Sequence, residues 1–294
     1  MFKISARLAA ILLTSLLLLM QGGTANAMVK GIYITQENLE DTKFINYLIN
    51  RSKKVGIGTF IVDLEQPSSR YQSNIQLLKQ NGIIYVARII IFPNNGGKPS
   101  QVLSEAYWEK KYKLVKTALS YGASQIQLDY IRYSSKQPPS SKNAEDILRI
   151  IQWFKARIHV PLQIDVFGIS AFGPSKYIGQ DIKLFSKSVD AICPMVYPSH
   201  YEPFRAHAVT PYDTVYSSLQ AIKGQFNYKP LTFKLIPYIE QSNYRYPLSR
   251  QKKLSYLYAQ IQAAEKANAD GWYVWSPHNY YDTLFQVLET YHVK

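Results

Sequence analysis

The chain has 294 residues, with 34 Lys and Arg against 20 Asp and Glu, a formal net charge of +14 and one cysteine, Cys193. A lone cysteine excludes an internal disulfide and any cysteine-built metal centre. The basic surplus favours an anionic partner, but the charge is spread along the chain, with Lys53-Lys54, Lys110-Lys111 and Lys252-Lys253 the densest pairs, and no nucleic-acid-binding motif occurs.

The first element is MFKISARLAAILLTSLLLLM followed by QGGTANA. A basic start (Lys3, Arg7), an apolar run from Leu8 to Met20 and small residues at Ala25 and Ala27 read as an export signal over residues 1–27. The run is shorter than the ~20 apolar residues of a spanning helix, so a cleaved signal is expected rather than an anchor. No other segment is apolar enough to span, so no stable membrane span is expected after cleavage. The remaining 28–294 keep a net charge of +12, because residues 1–27 carry two basic and no acidic side chains. An exported chain, periplasmic or secreted, without disulfides must be held by its core.

Beyond residue 28, short β-branched or apolar runs alternate with longer amphipathic ones. Strands are expected at 31–35 (GIYIT), 59–64 (TFIVDL), 84–92 (IYVARIIIF), 125–133 (QIQLDYIRY), 161–168 (PLQIDVFG), 190–198 (DAICPMVYP), 231–240 (LTFKLIPYIE) and 271–277 (GWYVWSP). Helices are expected over 42–53, 74–81, 105–121, 144–157, 178–188, 212–225, 250–268 and 282–291; the third places Trp108, Tyr112, Val115 and Leu119 on one face. Eight alternating strand–helix units predict a single α/β domain, a (β/α)8 TIM barrel. A doubly wound open sheet is the alternative, but no G-x-G-x-x-G follows a strand. The long loops, 92–100, 134–143 and 198–211, all follow strands, on the face where such barrels keep their chemistry.

The strand tips carry Tyr33, Asp63 with Glu65, Arg88, Asp129 with Arg132, Asp165, Tyr197 with His200 and Tyr201, Glu240, and Trp275 with His278. Several carboxylates, an arginine and aromatic rings around one mouth are the groups that glycoside cleavage needs: one acid to protonate the leaving oxygen, an ionised carboxylate opposite, and flat faces for sugar rings. Trp272, Tyr280 and Tyr281 add further rings. Asp129, Asp165 and Glu240 are the catalytic candidates, with Arg132 the expected partner of Asp129. The plain alternative for Asp129 is an arginine-paired structural carboxylate, and Asp165 and Glu240 divide evenly between catalysis and structure. His200 and His278 have no H-x-x-x-H or H-x-H spacing, so no metal is expected; no cofactor motif occurs either. Serine-nucleophile and phosphate-loop patterns are also missing.

QIQLDYIRYSS, QIDVFG, PMVYPSHY, GWYVWSPHNYY, ARIIIFPN and YWEKKYKLVKTALSYGA together resemble the bacterial barrels grouped as glycoside hydrolases under a domain of unknown function, distant relatives of the α-amylase and chitinase barrels. The resemblance covers nearly all of 28–294. It implies a TIM barrel, a carbohydrate substrate and site positions at Asp129, Arg132, Asp165, Tyr197, Ser199 and His200. The chain departs from the pattern at Pro93-Asn94, where an acid is usual, and at IPYIEQSN, where RPWLQDF is usual. Against the chitinase pattern D-G-x-D-x-D-x-E, Ile131 stands where the acid would be. The expectation is an exported glycoside hydrolase acting on a poly- or oligosaccharide through paired carboxylates, with substrate contacts from Arg132, Tyr33, Asp63, Arg88, Tyr197, Ser199, His200, Tyr201, Trp275 and His278. A non-catalytic carbohydrate-binding barrel of the cell envelope is the alternative, and an anionic envelope polysaccharide would suit the charge.

Overall fold

The computed structural model describes residues 28–291, so the segment read as a signal lies outside the described residues. The strands are β1 (Val29–Ile34), β2 (Thr59–Asp63), β3 (Ile84–Ile90), β4 (Gln125–Asp129), β5 (Leu162–Phe167), β6 (Ala191–Met195), β7 (Lys234–Leu235), β8 (Tyr238–Glu240) and β9 (Gly271–Trp275). All pairings between them are parallel. β1 pairs with both β2 and β9, and β5 with both β4 and β6, so the sheet closes on itself. β7 and β8 share the seventh place in the ring, which makes an eight-position barrel. Ile236-Pro237 divides them because proline has no N–H for the ladder; the Ile236 N–H still donates to Ile192 O and Pro237 O accepts from Tyr273 N.

The helices that run back along the barrel are α1 (Thr42–Lys54), α2 (Ser69–Gln80), α3 (Glu105–Ser120), α4 (Lys142–Lys155), α5 (Ile182–Phe185), α6 (Pro211–Gln225), α7 (Arg250–Lys266) and α8 (Asp282–Tyr291), with shorter helical segments at Gln36–Glu40, Pro99–Val102 and Phe204–Val209 in the loops. They cover the outside of the barrel. Strand residues pointing outward, such as Ile32, Phe60, Val62, Ala87, Ile126, Leu128, Ile164 and Val274, form one large core with the helix faces. The alternate residues Tyr33, Ile61, Val86, Cys193, Ile236, Tyr238 and Tyr273 fill the interior as a second core. Burial on both faces is why these strands read as continuous apolar runs.

Besides the divided seventh strand, three elements differ by several residues from the sequence expectation. α2 starts five residues earlier than expected, because the Ser68 hydroxyl accepts from Tyr71 N at 3.0 Å and caps it there. α5 keeps only four of the expected eleven residues. Gly173 (φ 145°) and Gly179 (φ 64°) hold the approach in conformations foreign to a helix, and Asp181 caps only the last turn. The fourth strand stops at Asp129 rather than running to Tyr133. Tyr130 adopts φ 50°, and Arg132 N donates to Tyr130 O in a tight turn. A bulky residue in the left-handed region is a costly conformation, and here it lies beside the barrel mouth.

Candidate active site

The five consecutive strands β1 to β5 each bring one polar group to the C-terminal mouth, and these groups converge on Arg88. In the β2–β3 register Asp63 lies beside Arg88, and the ring-ward side chains of β4 and β5 follow with Asp129 and Asp165. The Arg88 guanidinium donates through Nη1 to Asp63 Oδ1 at 2.5 Å, through Nη2 to Asp129 Oδ2, and through Nε to Asp165 Oδ2 at 3.2 Å. Tyr33 completes the set: its hydroxyl donates to Asp63 Oδ2 at 2.6 Å and its ring lies 5.1 Å from the guanidinium carbon. Asp63, Asp129, Asp165 and Arg88 are all buried.

One positive charge therefore faces three carboxyls in a low-dielectric site. Burial drives Asp165 well above the usual carboxylate range, the neighbouring Asp129 charge adds to this, and Arg88 opposes it. Asp129 is also raised by burial, with Arg88 pulling against the shift. Asp129 and Asp165 each give one oxygen to Arg88. Their other oxygens, both Oδ1, have no hydrogen-bond partner. Among the described residues no group of three His, Cys, Asp or Glu side chains is placed to hold a metal ion.

Strands β6 to β9 supply an apolar and aromatic half. Tyr197 stacks on Trp275 with ring centroids 5.2 Å apart and planes at 26°, and His200 packs against the edges of both rings. Between the two halves lies a cleft of about 600 Å³, bordered by Arg88, Asp129, Tyr130, Met195, Tyr197 and Trp275. Gly168 lies in its wall because nothing larger fits: a Cβ there would come within 2.1 Å of the Tyr201 hydroxyl and 2.6 Å of Met195 O.

The expected residues thus fall into three groups. Arg88, Asp129, Tyr197, His200, Tyr201 and Trp275 border the cleft; Tyr33, Asp63 and Asp165 form the layer joined to it through Arg88. Arg132 is not the ion-pair partner of Asp129. The turn at Tyr130 sends it over the rings of Phe167 and Tyr130, and its Nη1 donates to Tyr133 O at 3.0 Å. Glu240 is fully buried and does not border the cleft. It accepts from Ser199 N and Ser199 Oγ, each at 2.7 Å, and from Tyr256 Oη at 2.6 Å, so it pins the 198–201 loop from beneath. Burial raises it to about 7 despite those three donors. Its Oε2 lies 3.7 Å from His200 Nδ1, while burial and then the Arg245 charge hold His200 below its ordinary value. His278 is exposed and belongs to a separate depression.

Tyr130, Phe167, Met195 and Glu202 border the cleft without having been expected there. Phe167 and Glu202 directly follow the DV and YPSHY stretches, so adjacency could have marked them. Tyr130 could not be found that way, because its role depends on a backbone turn that the run of strand-forming residues hides.

A family model described as "Putative glycosyl hydrolase domain" matches residues 98–281. The chain belongs to this glycosyl hydrolase family. Those residues span α3 to β9, and so include four of the five strands that carry cleft-bordering groups. No curated protein matches the chain. Among solved structures, this glycosyl hydrolase is similar to the spore cortex-lytic enzyme SleL of Bacillus cereus, with 13% identity, a TM-score of 0.63, and coverage of 89% of this chain and 74% of that one. It is also similar to an endo-1,4-β-mannanase of Rhizomucor miehei (10%, TM-score 0.64, 89% and 93%) and to a chitinase of the same organism (12%, TM-score 0.57, 88% and 98%). At such identities the likeness is one of fold.

Proposed function

We propose that this glycoside hydrolase cleaves a glycosidic bond within an oligo- or polysaccharide by paired-carboxylate chemistry at Asp129 and Asp165. The observation that carries the reading is the pair of unpartnered Oδ1 atoms on two carboxyls clamped by a single guanidinium. Asp129 borders the cleft and is held by Arg88 as the charge-bearing carboxylate, suited to act on the developing oxocarbenium centre. Asp165, raised further by burial, holds the proton that the leaving oxygen needs, one layer beneath the cleft and joined to it through Arg88, with Oδ1 unpartnered. The Tyr197–Trp275 stack offers the flat face against which a sugar ring lies. Glu240 is a positioning residue in this scheme: it fixes Ser199 and with it the loop that carries His200 and Tyr201.

The test is turnover of an oligosaccharide panel, read as released reducing ends. Asp129→Asn and Asp165→Asn should each lower the rate by about 10³-fold or more while thermal unfolding stays close to that of the parent. Near-normal turnover in Asp129→Asn would sink the assignment. Sugar binding by the parent with no cleavage at all would favour the carbohydrate-binding barrel.

Export belongs to the same proposal. The basic start, the apolar run and Ala25 and Ala27 support cleavage before Met28. Intact-mass measurement of the protein from its native compartment should give a chain beginning at Met28; a chain keeping residues 1–27 would count against it.

A further inference from the structure

A second depression, of about 390 Å³, opens on the same face, formed by the loops that follow β8 and β9 and by the start of α7. It shares a wall with the cleft. Tyr244 borders the depression, Trp275 borders the cleft, and their rings meet edge to face 5.3 Å apart.

The two sites differ in charge. The cleft sets Asp129 and Glu202 against Arg88 and His200, whereas the second depression has Lys253 and His278 and no carboxylate in its lining. Lys253 stands in the first turn of α7, a 17-residue helix whose first turn has Arg250, Lys252 and Lys253 and no acidic residue. Ser249 caps this end, its hydroxyl accepting from Lys252 N, and the helix dipole adds positive character to the three basic side chains there. Gln241, in the wall of the depression and only 6% exposed, has an Oε1 with no partner, an acceptor that matches a hydroxyl donor. Tyr280 stands 69% exposed at the rim, a large flat face with little covering it. The loop is already ordered: Asn243 Oδ1 accepts from Arg245 N at 3.1 Å and from Tyr246 N at 2.7 Å. A cation, a positive helix end, an unmet acceptor and an aromatic face together describe the complement of a carboxylate-bearing sugar.

We propose that this depression binds an acidic sugar unit of the same chain whose bond is cut at Asp129, so that the enzyme recognises an extended anionic polysaccharide rather than a single sugar. The inference rests on the glycosidase reading above. Occupancy would bring a carboxylate to Lys253 and a hydroxyl to Gln241, with the next units of the polymer passing over Tyr244 and Trp275 into the cleft.

The test is ligand-observed NMR on the full chain with glucuronate as probe, and with glucose and acetate as matched controls for sugar without charge and charge without sugar. Saturation transfer to glucuronate ring protons should exceed that to either control. Lys253→Gln should weaken glucuronate affinity about five-fold or more, as should Tyr280→Ala, and added salt should weaken it in the parent. Equal transfer to glucose and glucuronate, or a Lys253→Gln variant that binds glucuronate like the parent, overturns the proposal. The two readings fail separately. Hydrolysis that depends on Asp129 without glucuronate binding removes only this site, whereas glucuronate binding that depends on Lys253 with no Asp129-dependent hydrolysis removes the glycosidase reading and leaves a sugar-binding site.

Discussion

At the scale of single residues, Arg88 and Glu240 organise the mouth in opposite ways. Arg88 gathers three carboxyls through three different nitrogens, which a lysine ammonium without the planar fork could not reproduce. Glu240 gathers neutral donors around one acid. Its value of about 7 has a consequence for stability with a definite sign. The folded state keeps this proton to higher pH than the unfolded chain does, so its contribution is fully present below the ordinary value of 4.5 and is lost as the pH rises through about 7. Chemical denaturation across that window should show a decline on the order of 3 kcal/mol from this group. Glu240→Gln should flatten that part of the profile, and an unchanged slope would show that Glu240 is not responsible. Legibility at this scale was uneven. Asp129, Asp165 and Arg88 could be read as strand-tip residues from alternation alone, whereas the partnership between Arg88 and Asp129 spans two strands and leaves no trace in local spacing. The nearer Arg132 was the natural candidate in the sequence until the turn at Tyr130 removed it.

At the scale of elements, the eight strands and most helices could be read because their periods of two and 3.6 are strong and their ends carry Ser, Asp, Asn and Gly. The misread stretches are those where tertiary contacts override local preference. The expected helix over 178–188 gave way to a loop in which Gly179 approaches so closely that an added Cβ would lie 2.7 Å from Asn143 O. The seventh strand split at Ile236-Pro237, a dipeptide that the apolar run around it disguised. The turn that follows β5 contains a sharp steric test. Gly168→Ala places a methyl group against the Tyr201 hydroxyl and the Met195 carbonyl, and the carbonyl cannot swing aside. A loss of roughly 1–3 kcal/mol in unfolding free energy is expected, with weaker sugar binding because Tyr201 must move. Full stability and parental affinity in that variant would mean that the cleft wall yields more readily than this packing implies.

At the scale of the whole molecule, closure of the ring depends on β1 meeting β9, with Val29 beside Gly271 and Ile32 beside Val274. Contacts between residues so far apart in sequence are slow to form, so the last barrel strand governs when the site becomes complete. The barrel also has a direction. β1 begins, and α8 ends, at the N-terminal rim, the face opposite the cleft, because each helix runs back against its strand. Both ends of the described chain therefore emerge from the back of the enzyme. A bead or surface coupled through a linker at residue 28 should hold every molecule with its mouth turned outward. Hydrolysis of a soluble oligosaccharide should then survive coupling nearly undiminished, while coupling through a residue introduced at Tyr280 should block it. The orientation that the strand order imposes is in this way a handle for attachment: the barrel can be moored from behind without shading the opening that meets the polymer.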